Sequence, residues 1–329
     1  MAFPRTAART ERVLITGGAG FIGAHLAAEL TARGCAVVPV DDLRVAPLQP
    51  PTGELLVKAV LDLDRADLDG ITAVYHLASH KSVPESFERP LDYLDNVDSG
   101  RHLLRLCERA GVPRVLIGST CEVHGNSLAL PNTEAAPLAP RSPYASSKVA
   151  LEMIARNHQQ RRGSRVTVVR FFNVYGPGER ADALVPALCL RAVLGRTLTI
   201  EGTGRQRRDF SYVGDTVHKL AGLLHAPPVP TVNLGSGRSR SVLEVAELLR
   251  EVRPGLELEF QPGRRDEIDE FRADTTVQDG LLGLPLAVTG MREGVRRTYD
   301  WWAARLADVP TASADVPAAR DRRPVKELT

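Results

Sequence analysis

Cysteine is scarce and scattered, with only Cys35, Cys107, Cys121 and Cys189 in 329 residues. None forms a CxxC pair, so neither a disulfide framework nor a metal site is indicated, and a reducing, cytoplasmic setting is expected. An excess of one charge is also missing. The formal net charge is +2, which gives no reason to expect a nucleic-acid partner. No apolar run approaches the ~20 residues that span a bilayer, so no membrane partner is expected. The opening "MAFPRTAARTER" carries positive charge but no apolar stretch of the kind a secretory leader needs. What is present, 43% hydrophobic residues, suffices for one large domain or two modest ones. Cys107 in "LLRLCERA" and Cys189 in "VPALCLRAVL" lie on apolar helical faces, where a thiol fills space.

Short β-branched runs alternate with helical patterns through the first half. "RVLIT" (12–16), "AVVPV" (36–40), "AVYHL" (73–77), "RVLIGS" (114–119) and "VTVVRFF" (166–172) read as buried strands. The helical stretches "FIGAHLAAELTARG", "LDYLDNVDSGRHLLRLCERAG" and "YASSKVALEMIARNHQQRRG" between them each end in glycine, a stop signal. Such alternation predicts an α/β fold, its parallel sheet covered on both faces. After Val174 glycine and proline punctuate more often and the strands become isolated ("LTIEG", "RDFSY", "TVNLG"). We therefore expect a main domain over 1–173 and a smaller, interleaved α/β lobe over 174–304. The Pro-, Ala- and charge-rich stretch 305–329 reads as a disordered tail.

Between the first strand and the first helix stands Gly17-x-x-Gly20-x-x-Gly23. Glycines there permit a tight turn and close approach to a pyrophosphate, which the helix N-terminus stabilises. The second strand then ends in acid, "VVPVDD". This context makes the sheet a Rossmann-type, doubly wound one with a dinucleotide site. Phe21, Ile22 and Asp42 belong to the same predicted cofactor surface. Asp41 is placed to accept hydrogen bonds from ribose hydroxyls and to repel a 2′-phosphate, which favours NAD over NADP; Arg44 nearby pulls the other way.

"SPYASSKVALE" sets Tyr144 and Lys148 four residues apart on one face of a helix start. A phenol is a poor base near neutrality, but an adjacent ammonium and a cationic ring favour its ionised form. Tyr144 would then take the proton of a sugar hydroxyl as the carbon's hydride leaves, with Lys148 holding the nicotinamide ribose.

These motifs, with "VYHLASHKS", "PLDYLDNVDSG", "STCEVHG", "RFFNVYGPGE", "GTGRQRRDFSYVGD" and "RRDEIDEFRAD", resemble the extended short-chain dehydrogenase/reductases of the nucleotide-sugar epimerase/dehydratase group. The resemblance covers about residues 11–304. It implies that Asp62 and Leu63 contact adenine. Leu77, Ala78, Ser79 and Lys81, with Asn96 and Ser119, would run along the cofactor, and Phe171 to Val174 would wall the nicotinamide. For the sugar nucleotide it implies Lys81, Asn173, Leu184 and Val185. Arg208 and Arg264 would clamp the diphosphate as bidentate guanidinium–phosphate pairs. Without the family, those two arginines read as solvated loop charges, and "DALVPALCL" is equally plain helix packing. A homodimer through the helices starting near Pro90 and Tyr144 is also implied.

One segment stands out. "GSTCEVHG" puts a hydroxyl, a thiol and a carboxylate in succession at a strand's carboxyl end, where open α/β sheets bind ligands. In the 4,6-dehydratases that it resembles, an Asp–Glu pair follows the Thr; here Cys121 replaces the Asp and Glu122 remains. Thr120 would orient the C4 hydroxyl, Glu122 would remove the C5 hydrogen, and Cys121 or Glu122 would protonate the departing C6 oxygen. The strings "VYHLASHKSVP", "GSTCEV" and "RSPYASSKV" are closer still to the 5,6-dehydratases of tunicamycin biosynthesis, whose substrate is UDP-N-acetylglucosamine (UDP-GlcNAc). Those return the hydride to C4 and leave a 5,6-ene. A 4,6-dehydratase, a 4-epimerase and a non-catalytic NAD sensor stand as alternatives.

Overall fold

A computed structural model describes residues 10–127, 129–162, 165–263, 267–283 and 288–307. The apolar runs form the strands β1 (Arg12–Thr16), β2 (Ala36–Asp41), β3 (Leu56–Val57), β4 (Ala73–His76), β5 (Arg114–Thr120) and β6 (Arg165–Phe171). Between them lie α1 (Phe21–Ala32), α2 (Val83–Glu88), α3 (Asp95–Ala110) and α4 (Pro143–Arg162). Helix α3 stops at Gly111, whose φ of 69° is the left-handed closure that its glycine predicts. Its predicted first turn is instead a separate 3₁₀ turn, Pro90–Leu94.

The remaining elements are β7 (Asn173–Tyr175), α5 (Leu184–Val193), β8 (Leu198–Glu201), β9 (Arg207–Tyr212), α6 (Val213–Gly222), β10 (Thr231–Leu234), β11 (Ser239–Ser241), α7 (Val242–Val252), β12 (Leu258–Gln261), α8 (Thr276–Leu282) and α9 (Met291–Ala307). Helix α9 continues past 305, where the tail was expected to begin; residues 308–329 lie outside those described.

The main sheet has the order β3-β2-β1-β4-β5-β6-β10, and every neighbouring pair is parallel. This is the Rossmann-like α/β arrangement. Side chains alternate across each strand. Val13, Ile15, Tyr75, Leu116 and Val169 therefore face Leu26 and Leu30 of α1 and Leu220 of α6. Leu14, Val74, Val115, Ile117 and Val168 face Leu103 and Leu104 of α3 and Leu151 of α4. A third core, with Tyr175, Leu188, Phe210, Leu249 and Trp302, holds α5, α7 and α9 over β8 and β9. Strand β10 comes late in the chain yet pairs with β6 in the main sheet. The strand order reverses between β1 and β4, and a ligand crevice opens at such a reversal, beyond the strands' carboxyl ends.

Candidate active site

The glycine-rich turn leaves β1 at that reversal. Gly17 has a φ of 70°, and a Cβ there would lie 2.7 Å from the backbone N of Ala78. Only glycine permits that turn against the segment that follows β4. Helix α1 begins after Gly20 with no side-chain cap and no acid in its first turn, so its leading N–H groups face the crevice as an anion site. Phe21, Ile22 and Leu77 pack partly buried against the core beneath.

Asp41 ends β2, accepting from the Ala19 N–H at 3.1 Å and the Leu43 N–H at 2.9 Å. It thus fixes the glycine turn while standing at the ribose position. Arg44, the residue that weighed toward NADP, pairs with Asp42 at 2.9 Å and Asp95 at 3.5 Å. Its charge is balanced by carboxylates and it makes a poor 2′-phosphate receptor. Bare glycine backbone, an uncapped helix start and a ribose carboxylate together fit NAD. Further along, Leu63 is 2% exposed and packs in the core, whereas Asp62 is exposed.

Asn96 is buried under the segment after β4. It accepts from the His80 N–H at 2.8 Å and the Ser79 hydroxyl at 3.1 Å, and donates to Ser147 at 3.0 Å. This holds the segment carrying Ala78, Ser79 and Lys81 against α4. The Ser119 hydroxyl donates to Glu152 on α4 at 2.5 Å. Glu152 in turn takes the Arg170 guanidinium at 2.7 Å, and these two side chains are 2% and 1% exposed. Sequence reasoning did not reach this buried pair, although Glu152 stands one helical turn beyond Lys148, a spacing that marks a neighbour.

Tyr144 and Lys148 occupy the first turns of α4, both buried. Lys148 Nζ donates to the Gly118 carbonyl on β5 at 3.0 Å. Burial pushes this ammonium down to about 8, and the Glu152 charge opposes that fall. Burial pushes the Tyr144 phenol up, and a hydrogen bond with Thr120 pulls it back. Lys148 stands one helical turn beyond Tyr144, with its ammonium anchored on Gly118.

Thr120 ends β5 and caps the 3₁₀ turn Cys121–His124, accepting from the Glu122 N–H at 3.2 Å. Cys121 is packed with Phe172, Ile268, Phe271 and Ala273. Burial, then the Glu122 charge, holds its thiol well above the ordinary value. The thiol is thus a protonated, space-filling group, while Glu122 is only partly buried.

On the substrate side, Asn173 Oδ1 is buried without a hydrogen-bond partner among the described residues, as expected of a group awaiting a ligand. Phe171 and Val174 pack partly buried beside it. Leu184 is partly buried, but Val185 is 2% exposed in the second-lobe core. Its expected place in the substrate pocket is corrected, because the helical phase turns it inward. Arg208 Nη1 donates to the Ile268 carbonyl at 2.7 Å, Nη2 pairs with Glu267, and the guanidinium lies over Phe271. Arg264 lies outside the described residues. No group of metal-ligating side chains occurs among the described residues. No helix among them is long and apolar enough to cross a membrane.

Residues 13–235 match the model of the NAD dependent epimerase/dehydratase family, and the chain belongs to that family. Among solved structures it is similar to TunA, an NAD-dependent NDP-hexosamine 5,6-dehydratase involved in tunicamycin biosynthesis. That match has 54% identity and a TM-score of 0.87, over 90% of this chain and 99% of that one. It is also similar to MoeE5 in complex with UDP-glucuronic acid and NAD, at 34% identity and a TM-score of 0.81, over 90% and 99% of the two chains. A UDP-glucose 4-epimerase of Azospirillum brasilense is 37% identical over 273 residues, 74% of this chain and 78% of that protein. NAD is the cofactor, and the chain is an enzyme of the nucleotide-sugar dehydratase/epimerase family.

Proposed function

We propose that the protein dehydrates UDP-GlcNAc to its 6-deoxy-5,6-ene by transient oxidation at C4. The observation that carries this reading is that Thr120, Cys121 and Glu122 stand at the carboxyl end of β5 against the start of α4, which carries the buried Tyr144 and Lys148. The 54% identity with a 5,6-dehydratase supports it. Bound NAD would supply acceptance of the C4 hydride and its return. Gly17, Gly20, Gly23, Asp41 and Lys148 would hold that cofactor.

Thr120 receives the C4 hydroxyl, and Tyr144, whose phenolate the Lys148 ammonium and a bound cationic nicotinamide ring would favour against its burial, takes that proton. The resulting ketone acidifies the C5 hydrogen, which Glu122 removes. Glu122 then returns that proton to the C6 oxygen, which departs as water. The buried thiol of Cys121 gives up no proton in this scheme; it keeps a second carboxylate out of the site. When the hydride is back on C4, Tyr144 restores the hydroxyl proton. Net chemistry is loss of one water, with no change of oxidation state at C4. Mass spectrometry and NMR of the UDP-GlcNAc product should show one water lost, an exocyclic methylene and no ketone. A 4-keto-6-deoxy sugar, or a C4 epimer of unchanged mass, refutes the reading.

We also infer a cytoplasmic homodimer. Phe87, Leu91, Leu94 and Met153 expose 55%, 76%, 54% and 39% of their surfaces on the adjoining α2, 3₁₀ turn and α4. Association would cover this apolar face. Sedimentation should show a dimer that Leu91→Glu dissociates; an unchanged state for the variant refutes the interface.

A further inference from the structure

Glu179 lies in the turn between β7 and α5, within "YGPGERADAL", and the chemistry above makes no use of it. Its side chain is only 9% exposed, and the carboxylate's partner among the described residues is Lys81 Nζ, 3.9 Å away. That is too long for a hydrogen bond. A carboxylate so little exposed, with its ammonium partner beyond hydrogen-bond range, is costly to keep charged. Burial pushes Glu179 up to about 7 in spite of the nearby ammonium.

The two side chains come from different lobes. Lys81 belongs to the segment along the cofactor crevice and is half exposed, while Glu179 belongs to the loop that enters the second lobe. The pair therefore joins the segment that follows β4 to the loop that follows β7. One oxygen placed between them can lie about 2.8 Å from both nitrogen and oxygen. A hydroxyl suits that place, since it donates to the carboxylate and accepts from the ammonium. A carbonyl would be repelled by Glu179, and a cation by Lys81.

We propose that Lys81 and Glu179 form a hydroxyl-reading subsite that binds one hydroxyl of the nucleotide sugar. This rests on the reading above only in taking a UDP-hexose as ligand. A site built to hydrogen-bond a hydroxyl discriminates strongly against an analogue that lacks it.

The test uses NAD-loaded protein carrying Tyr144→Phe, which blocks the redox step so that binding is read without turnover. UDP-hexoses, UDP-GlcNAc among them, and their mono-deoxy analogues are titrated calorimetrically. The parent, Glu179→Gln, Glu179→Ala and Lys81→Met proteins are compared, and the NAD content of each is measured after release. We expect one deoxy analogue to bind the parent protein roughly tenfold to a hundredfold more weakly. Glu179→Ala and Lys81→Met should bind that analogue and its hexose equally. The proposal is overturned if every variant discriminates as the parent does, which would leave only water or a structural pair at the site. It is also overturned if Glu179→Ala loses NAD but keeps its affinity for the sugar, since the hydroxyl would then be the cofactor's. Failure of all UDP-hexoses to bind overturns it too. Formation of a product other than the 5,6-ene does not bear on it.

Discussion

Replacing Glu152 with Gln tests the buried charge network beneath the catalytic pair. The carboxylate is 2% exposed and receives Arg170 Nη2 at 2.7 Å, Arg170 Nε at 3.1 Å and the Ser119 hydroxyl at 2.5 Å. Gln keeps the size but presents an amide N–H₂ to a guanidinium, and Arg170 loses the one carboxylate that it hydrogen-bonds among the described residues. Removing one partner of a buried ion pair costs about 3–5 kcal/mol. At about 0.6 kcal/mol per degree for roughly 300 folded residues, Tm should fall by about 5–8 °C. Arg170→Met in the same chain removes the stranded charge, and the double variant should recover part of the loss. A second consequence concerns Lys148, whose ammonium is held at about 8 with help from Glu152. Without that charge the ammonium is lost at lower pH, so the alkaline limb of the rate profile should move down. Differential scanning calorimetry and a pH–rate series read the two effects. A Tm within 1 °C of the parent, roughly the scatter for a surface change, together with an unmoved alkaline limb, would refute the reasoning.

Glu122→Gln should abolish dehydration while sparing hydride abstraction at C4, so cofactor reduction should accumulate in a single turnover. Full-speed water loss would contradict the role of Glu122, and a 4-epimerase would tolerate the change. Glu179→Gln should alter the pH dependence of stability. The folded-state value of Glu179 is raised to about 7, so its contribution is full below its ordinary range and lost as pH rises through 7. The variant, which has no proton to lose, should therefore gain about 3 kcal/mol relative to the parent between pH ~4.5 and ~8. Thermal melts across that range check the sign; a difference independent of pH would contradict it.

What the sequence made legible was local. The glycine spacing, the acid ending β2 and the Tyr144–Lys148 interval are patterns within a few residues, each tied to one piece of backbone geometry. Strand β1 begins and ends where its apolar run does. The settings of those groups depend on distant chain. Arg44 is balanced by Asp95, and Cys121 is enclosed by Ile268 and Phe271, partners that no short motif contains. Ser119 follows a glycine on β5 and reads as a cofactor contact, but a buried carboxylate on α4 claims its hydroxyl. Val185 turned inward because helical phase, read from "DALVPALCL" alone, admits more than one face. Glu179 gave no signal, since its burial beside Lys81 brings together stretches far apart in the chain.

The account depends most directly on where the hydride goes. UDP-GlcNAc carrying deuterium at C4 should yield a dehydrated product with the label still at C4 and none at C6. Label recovered at C6 of a 4-keto-6-deoxy sugar would contradict the account and make the protein a 4,6-dehydratase.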